Sequence, residues 1–278
     1  MGKLTKIDND NFLFFDGLLE DRYYNRASDE LFVGLIDDED NAVTVAVFGV
    51  FEDGLTLRFI ASDPEQAGKG YATELIQKTI ELMHGSDFSF CQAVIYGELS
   101  ENETAVEKIL LKNNFKKEDF PLVRSIYSLA DFSGIKGKAA DKAISIKPAA
   151  ALSAAEYMNF LELEERYRDS GFYIKADKFV KDKYCFCAVC DGVIEAFVHC
   201  EDLEDALLID AIYGEGKNLL LLPNLFEHIY REVIGDYSEE TPVYIDTAGE
   251  KLFDYQLKLV GKEPKEKLQA YRYLAAIN

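Results

Sequence analysis

The segment Asp63-Pro64-Glu65-Gln66-Ala67-Gly68-Lys69-Gly70 carries the clearest chemical signal in the chain. A strand-like run, Leu55 to Ile60, leads into it, and an amphipathic helix follows at once. Ala72, Leu75, Ile76, Thr79, Ile80 and Met83 fall on one helical face, and Glu74, Gln77, Lys78 and Glu81 on the other. A strand, a glycine turn and a helix N-terminus together form a ready anion site, or else a simple strand-to-helix connection with glycines for the turn. The first helical N–H groups lack intrahelical acceptors, the helix dipole adds partial positive charge, and glycine lets the backbone approach a phosphate closely. Two common phosphate motifs do not fit. A P-loop would need Gly where Asp63 stands and Ser or Thr where Gly70 stands, and a dinucleotide fingerprint begun at Gly68 would need Gly in place of Thr73.

A second cluster is Cys185-Phe-Cys187-Ala-Val-Cys190 with His199-Cys200. It holds the donor atoms zinc prefers but lacks paired two-residue spacers. Its alternation reads as a strand, with Cys185 and Cys187 as small buried hydrophobes on one face, so no metal site is expected. Arg58 either binds an acidic substrate group or pairs with a nearby carboxylate, and the pair is favoured.

The elements that must position these groups follow from periodicity and turn chemistry. Phe12 to Arg26 has helical spacing, and Leu31–Ile36 and Ala42–Phe51 form a hairpin pattern around the acidic turn Asp37–Asp40. The helix after Gly70 ends at His84-Gly85. A strand from Phe90 to Tyr96, a helix over about 103–112 and a strand near Val123 to Leu129 follow. Small and charged residues from Asp131 to Lys142 predict a linker. The second half then repeats the order: strand 144–146, helix 154–168, a hairpin with arms 185–190 and 193–200, strand 207–213, helix 219–234, strand 243–246, helix 251–259 and a closing strand near 268–273. A duplicated fold is expected, with domains at 1–130 and 143–278 joined by a linker at 131–142.

The length of 278 residues agrees with two domains. With Lys+Arg at 30 and Asp+Glu at 51 the net charge is −21, which opposes nucleic acid and membrane surfaces as partners. A hydrophobic fraction of 48% and an aromatic fraction of 13% supply a core for each half. The odd count of five cysteines is not a disulfide framework. No run approaches the roughly 20 apolar residues of a membrane span, and no apolar leader follows Met1. A cytoplasmic protein is expected.

Ala67-Gly68-Lys69-Gly70-Tyr71-Ala72-Thr73-Glu74 resembles the acetyl-CoA-binding motif of the GNAT (GCN5-related N-acetyltransferase) superfamily, in which Arg or Gln is followed by two residues, Gly, one residue, and Gly or Ala. Gly70 and Ala72 match the last two fixed positions, and Ala67 departs at the Arg/Gln position. Asn102-Glu103-Thr104-Ala105 is similar to the family's Asn-x-x-Ala, and Asn114-Phe115-Lys116 to its Gly-Phe-Lys-like ending. The resemblance implies an α/β protein of two GNAT-like domains, each a mixed, mostly antiparallel sheet flanked by helices. The second copy is degenerate: Tyr213-Gly214-Glu215-Gly216-Lys217-Asn218-Leu219 misses the motif's spacing and adds a carboxylate.

The same resemblance implies an acetyl-CoA-dependent N-acetyltransferase acting on a primary amine of a small molecule. Gly68, Lys69, Gly70, Tyr71, Ala72, Thr73 and Asn102 would bind the cosubstrate, and Ile60, Ala61 and Ser62 would hold its pantetheine arm. Glu98, just past the strand ending at Tyr96, is the candidate base, or else a solvated loop carboxylate. Tyr96 is the candidate acid, or else a packed aromatic. The family's usual acid, a Tyr five residues before the Phe of Gly-Phe, falls on Leu110. Its absence keeps a non-catalytic CoA-binding sensor open as the alternative. The surplus of carboxylates favours a cationic amine as acceptor.

Overall fold

The computed structural model describes residues 2–19, 30–51, 53–97, 104–137, 144–167, 176–203, 205–214 and 216–277. The first half contains β1 (Lys3–Lys6), β2 (Glu30–Ile36), β3 (Ala42–Val50), β4 (Gly54–Ser62), α1 (Tyr71–Met83), β5 (Phe90–Gly97), α2 (Ala105–Lys112) and β6 (Lys116–Ser128). The second contains β7 (Ser145–Pro148), α3 (Ala154–Tyr167), α4 (Ala176–Lys181), β8 (Phe186–Cys190), β9 (Val193–Asp202) and β10 (Leu207–Gly214). It closes with α5 (Leu222–Val233), β11 (Pro242–Ala248), α6 (Gly249–Val260) and β12 (Glu266–Ala276).

These elements form two compact units: Met1–Phe120 with Gln269–Asn278, and Pro121–Leu268. In the first unit the strand order is β1-β2-β3-β4-β5-β12, antiparallel throughout except for the parallel pair β4/β5. Val33, Phe48, Leu55, Leu75, Leu110 and Tyr273 are among the side chains of its main core. In the second unit the order is β7-β8-β9-β10-β11-β6, again with one parallel pair, β10/β11. Phe186, Ile209, Leu225, Phe226 and Ile245 sit in its core. Both units are mixed α/β, with mostly antiparallel sheets flanked by helices.

The division does not fall at 131–142. Leu129–Phe132 forms a 3-10 turn, and Phe132 and Ile135, within the expected linker, are buried in the second unit's core. The strand after α2 pairs with β11, and the strand after α6 pairs with β5. Each unit is thus closed by a strand that follows the last helix of the other. The closing strand does not belong to the second domain because Ala270, Tyr271 and Tyr273 are buried in the core of the first. Phe12 to Arg26 also differs from the helix expected: Phe12–Phe14 and Asp16–Leu18 are short 3-10 turns, and 20–29 lie outside the described residues.

Local chemistry explains the elements that were legible. Asp191 and Gly192 both have positive φ, the geometry of a two-residue hairpin turn between β8 and β9. Asn114, where the sequence resemblance implies a glycine, has φ 63, and asparagine tolerates that left-handed conformation after a helix. Thr104 caps α2 in a capping box with Glu107. None of the described helices is long and apolar enough to cross a membrane.

Glu107 also anchors the exchanged strand. It accepts hydrogen bonds from the Tyr273 hydroxyl on β12, from Thr104 N at 2.7 Å and from Lys117 Nζ at 3.2 Å. Burial alone would push its carboxyl up, but these donors outweigh burial and hold the pKa at about 2. A carboxylate with a depressed folded pKa stabilises the fold fully above its unfolded value near 4.5, and that contribution is lost as pH falls through about 2. Tyr273→Phe should lower stability by about 1–3 kcal/mol at neutral pH. It should also flatten the loss of stability between pH 5 and pH 2, read by urea unfolding at both.

Candidate functional site

The parallel pair in the first unit is short. β4 meets β5 only from Gly54↔Phe90 to Leu57↔Ala93, although β4 continues to Ser62 and β5 to Gly97. Beyond that point each strand keeps its outer neighbour: Ile60, Ala61 and Ser62 stay paired with Ala46, Val45 and Thr44, and Ile95 and Tyr96 with Tyr271 and Ala270. The inner edges of both strands are left facing a wedge at their carboxyl ends, the side of a parallel pair where ligands bind. A bulge accompanies the parting. Val47 pairs with Phe59 and Phe48 with Leu57, so Arg58 is an extra residue on β4. Such an insertion bends and twists its strand. The Arg58 guanidinium lies 3.0 Å from Glu30, the pairing expected from the sequence.

From the end of β4 the chain enters the glycine turn. Asp63 caps the 3-10 turn Pro64–Gln66, accepting from Glu65 N at 2.9 Å. Gly68 and Gly70 then adopt φ 79 and 87, with no atom within 4 Å of where either Cβ would stand. The first helical bond of α1 runs from Glu74 N to Gly70 O at 3.0 Å. Among the described residues the N–H groups of Gly68, Gly70, Tyr71, Ala72 and Thr73 have no acceptor. They therefore bound an open space with hydrogen-bond donors, which suits a phosphate. An open groove of about 550 Å³ continues from Gly70 and Thr73 along α1 to Lys78 and Lys112, and Glu74 and Glu81 share its wall. Asn113 Nδ2 bonds Thr73 O at 3.2 Å and Ile109 O at 2.9 Å, fixing the first turn of α1 to the end of α2.

The site residues proposed from sequence divide accordingly. Ile60, Ala61 and Ser62 line the parted edge of β4, and Tyr96 stands on the parted end of β5, half-buried. Gly68 to Thr73 form the turn and the start of α1, where Lys69 Nζ lies 2.6 Å from Gln66 Oε1 and the Tyr71 side chain packs on the core. Glu98 and Asn102 lie outside the described residues. Leu110, at the family's acid position, is fully buried in the core.

The second unit repeats the architecture with different side chains. β10 meets β11 only from Leu207↔Val243 to Ile209↔Ile245, and again a bulge marks the parting, with Asp210 as the extra residue on β10. Its turn is unlike the first, since a 3-10 segment, Gly216–Leu221, precedes α5 in place of a left-handed glycine at the helix start. Sequence reading named His199 with the cysteines and set a metal aside, but missed the two carboxylates that meet it at the bulge. His199, 0% exposed, bonds the Asp210 carboxylate through Nδ1 and lies 2.8 Å from Asp182 Oδ2 through Nε2. Burial would push the imidazole pKa down, but the two carboxylates outweigh it and hold it well above the ordinary value. Asp210 carries no local sequence signal, because only the bulge turns it toward His199.

The sequence matches no protein-family model and none of the curated proteins. Solved structures match over the whole chain. A tandem GNAT protein from the clavulanic acid biosynthesis pathway aligns at a TM-score of 0.71 and 12% identity, covering 100% of this chain and 99% of that one. A GCN5-related N-acetyltransferase from Kribbella flavida aligns at 0.60 and 15%, covering 100% and 72%. A probable N-acyltransferase from Enterococcus faecalis V583 aligns at 0.62 and 13%, covering 100% and 73%. At these identities the likeness is one of fold, and the chain has a tandem GNAT fold.

Because Gly70 combines φ 87 with open space, Gly70→Ala should strain the backbone without a clash. Urea unfolding should show a loss of about 1–2 kcal/mol, with the far-ultraviolet circular dichroism of the folded state unchanged.

Proposed function

We propose that the first unit binds acetyl-CoA and transfers its acetyl group to a primary amine of a small molecule. The observation that carries this reading is the parting of β4 from β5 next to a turn in which the N–H groups of Gly68, Gly70, Tyr71, Ala72 and Thr73 have no acceptor among the described residues. The pyrophosphate would accept from those N–H groups and meet Lys69, and the pantetheine arm would lie along Ile60, Ala61 and Ser62. Lys78 and Lys112, in the groove along α1, suit the remaining negative charge of the cosubstrate. Asn102 is carried as a further contact from the sequence resemblance.

In the reaction the lone pair of a neutral amine attacks the thioester carbonyl carbon. The C–N bond forms, the C–S bond breaks, the nitrogen loses a proton to a base and the thiolate takes one from an acid. Glu98 is proposed as the base and Tyr96, on the parted end of β5, as the acid. The second unit is read as a degenerate copy of the first, supported by the 3-10 segment at its turn. The five buried thiols fit a reducing, cytoplasmic setting.

One observation favours a second reading, a CoA-binding sensor without catalysis: the family's acid position holds the buried Leu110. Calorimetry and a thiol-release assay separate the two. The catalytic reading expects saturable acetyl-CoA binding and turnover, faster with diamines than with anionic amino acids. Tyr96→Phe should lower kcat about 10²-fold with acetyl-CoA affinity unchanged. Binding with no turnover on any amine would select the sensor, and no binding would sink both readings.

A further inference from the structure

The histidine cluster of the second unit has the composition of a metal site rather than of a salt bridge alone. Asp182, Cys185 and His199 place a carboxylate oxygen, a thiol sulfur and an imidazole nitrogen within 4.8 Å of one another. Cys185 and His199 are both 0% exposed. The fourth member, Asp210, holds the opposite ring nitrogen of His199. A ligating histidine characteristically donates its second N–H to a carboxylate, which fixes its tautomer and orientation. Here Asp210 takes that role and leaves Nε2 directed at Asp182. A mixed sulfur, nitrogen and oxygen set excludes magnesium and calcium and suits zinc.

We propose that Asp182, Cys185 and His199 bind a single Zn²⁺ ion, with Asp210 orienting the imidazole. The ion would reach the site past the Asp182 side chain, which is 25% exposed. Bound there, it would fasten the segment entering β8 to β9. Zinc would displace the Nε2 proton of His199 and the Cys185 thiol proton to solvent, and Cys185 would give up its hydrogen bond to Cys200 O, at 3.6 Å, to coordinate as thiolate. Cys187, two residues on along β8, takes no part. The same groups in an open cleft would suggest a cysteine nucleophile, but a sulfur with no exposure meets no acyl group.

Cobalt titration of the full-length protein tests the proposal, because Co²⁺ substitutes for zinc and reports on thiolate ligation by near-ultraviolet charge transfer. One equivalent should produce that band, and zinc should displace it. Cys187→Ser should keep the band and Cys185→Ser should lose it. Asp210→Asn should weaken Co²⁺ binding about 10- to 100-fold. Asp182→Asn, at a partly exposed side chain, should weaken binding at least tenfold with unchanged circular dichroism, and it decides the matter should Cys185→Ser fail to fold. No band in the wild-type protein, a band that survives Cys185→Ser, or unaltered affinity in Asp182→Asn overturns the proposal.

Discussion

A parallel pair of strands that separates after a few residues is the constraint on which both units turn. Closing a β-sheet satisfies backbone hydrogen bonds, so two strands part only where something prevents pairing and something else keeps their outer edges satisfied. Here the first condition is a bulge on the leading strand, at Arg58 in one unit and Asp210 in the other. The second is an antiparallel neighbour on each outer side, which holds β4 against β3 and β5 against β12, and likewise β10 against β9 and β11 against β6. The wedge is therefore a property of the backbone. The side chains around it differ between the units.

That difference begins with the bulge residues themselves. Arg58 points to Glu30, a partly exposed pair that closes the ledger of charge locally. Asp210 points to a histidine with no exposure, and Asp182 completes the clamp from the other side. The turns diverge in the same way. Gly68 and Gly70 hold left-handed conformations that expose N–H donors, while the second unit runs through a 3-10 segment into its helix. In a chain of net charge −21, a site for a polyanion must rest on backbone dipoles and a few lysines, and the first unit offers that combination.

Much of this was legible in the residues. The apolar run of β3, the amphipathic spacing of α1, the Asp191-Gly192 turn and the glycine turn at 68–70 depend on interactions within a few positions of one another, and each appears where its local chemistry put it. Even the departure from the family's glycine at Asn114 has a local reason, since asparagine also adopts φ 63. The exchanged strands were not legible. β12 carries the same apolar alternation whichever sheet it joins, and only Glu107 and the core side chains around Tyr273 select the first.

By itself, then, the sequence determined the periodic elements, their repeated order and the donor-rich turn, because each is encoded by neighbours in the chain. Only the tertiary structure decided where the units divide, which strand closes each sheet, and that Asp182, Cys185, His199 and Asp210 meet. Those facts depend on strand register and on a one-residue bulge. A shift of one residue turns a side chain to the opposite face, and no local pattern records which face it will find.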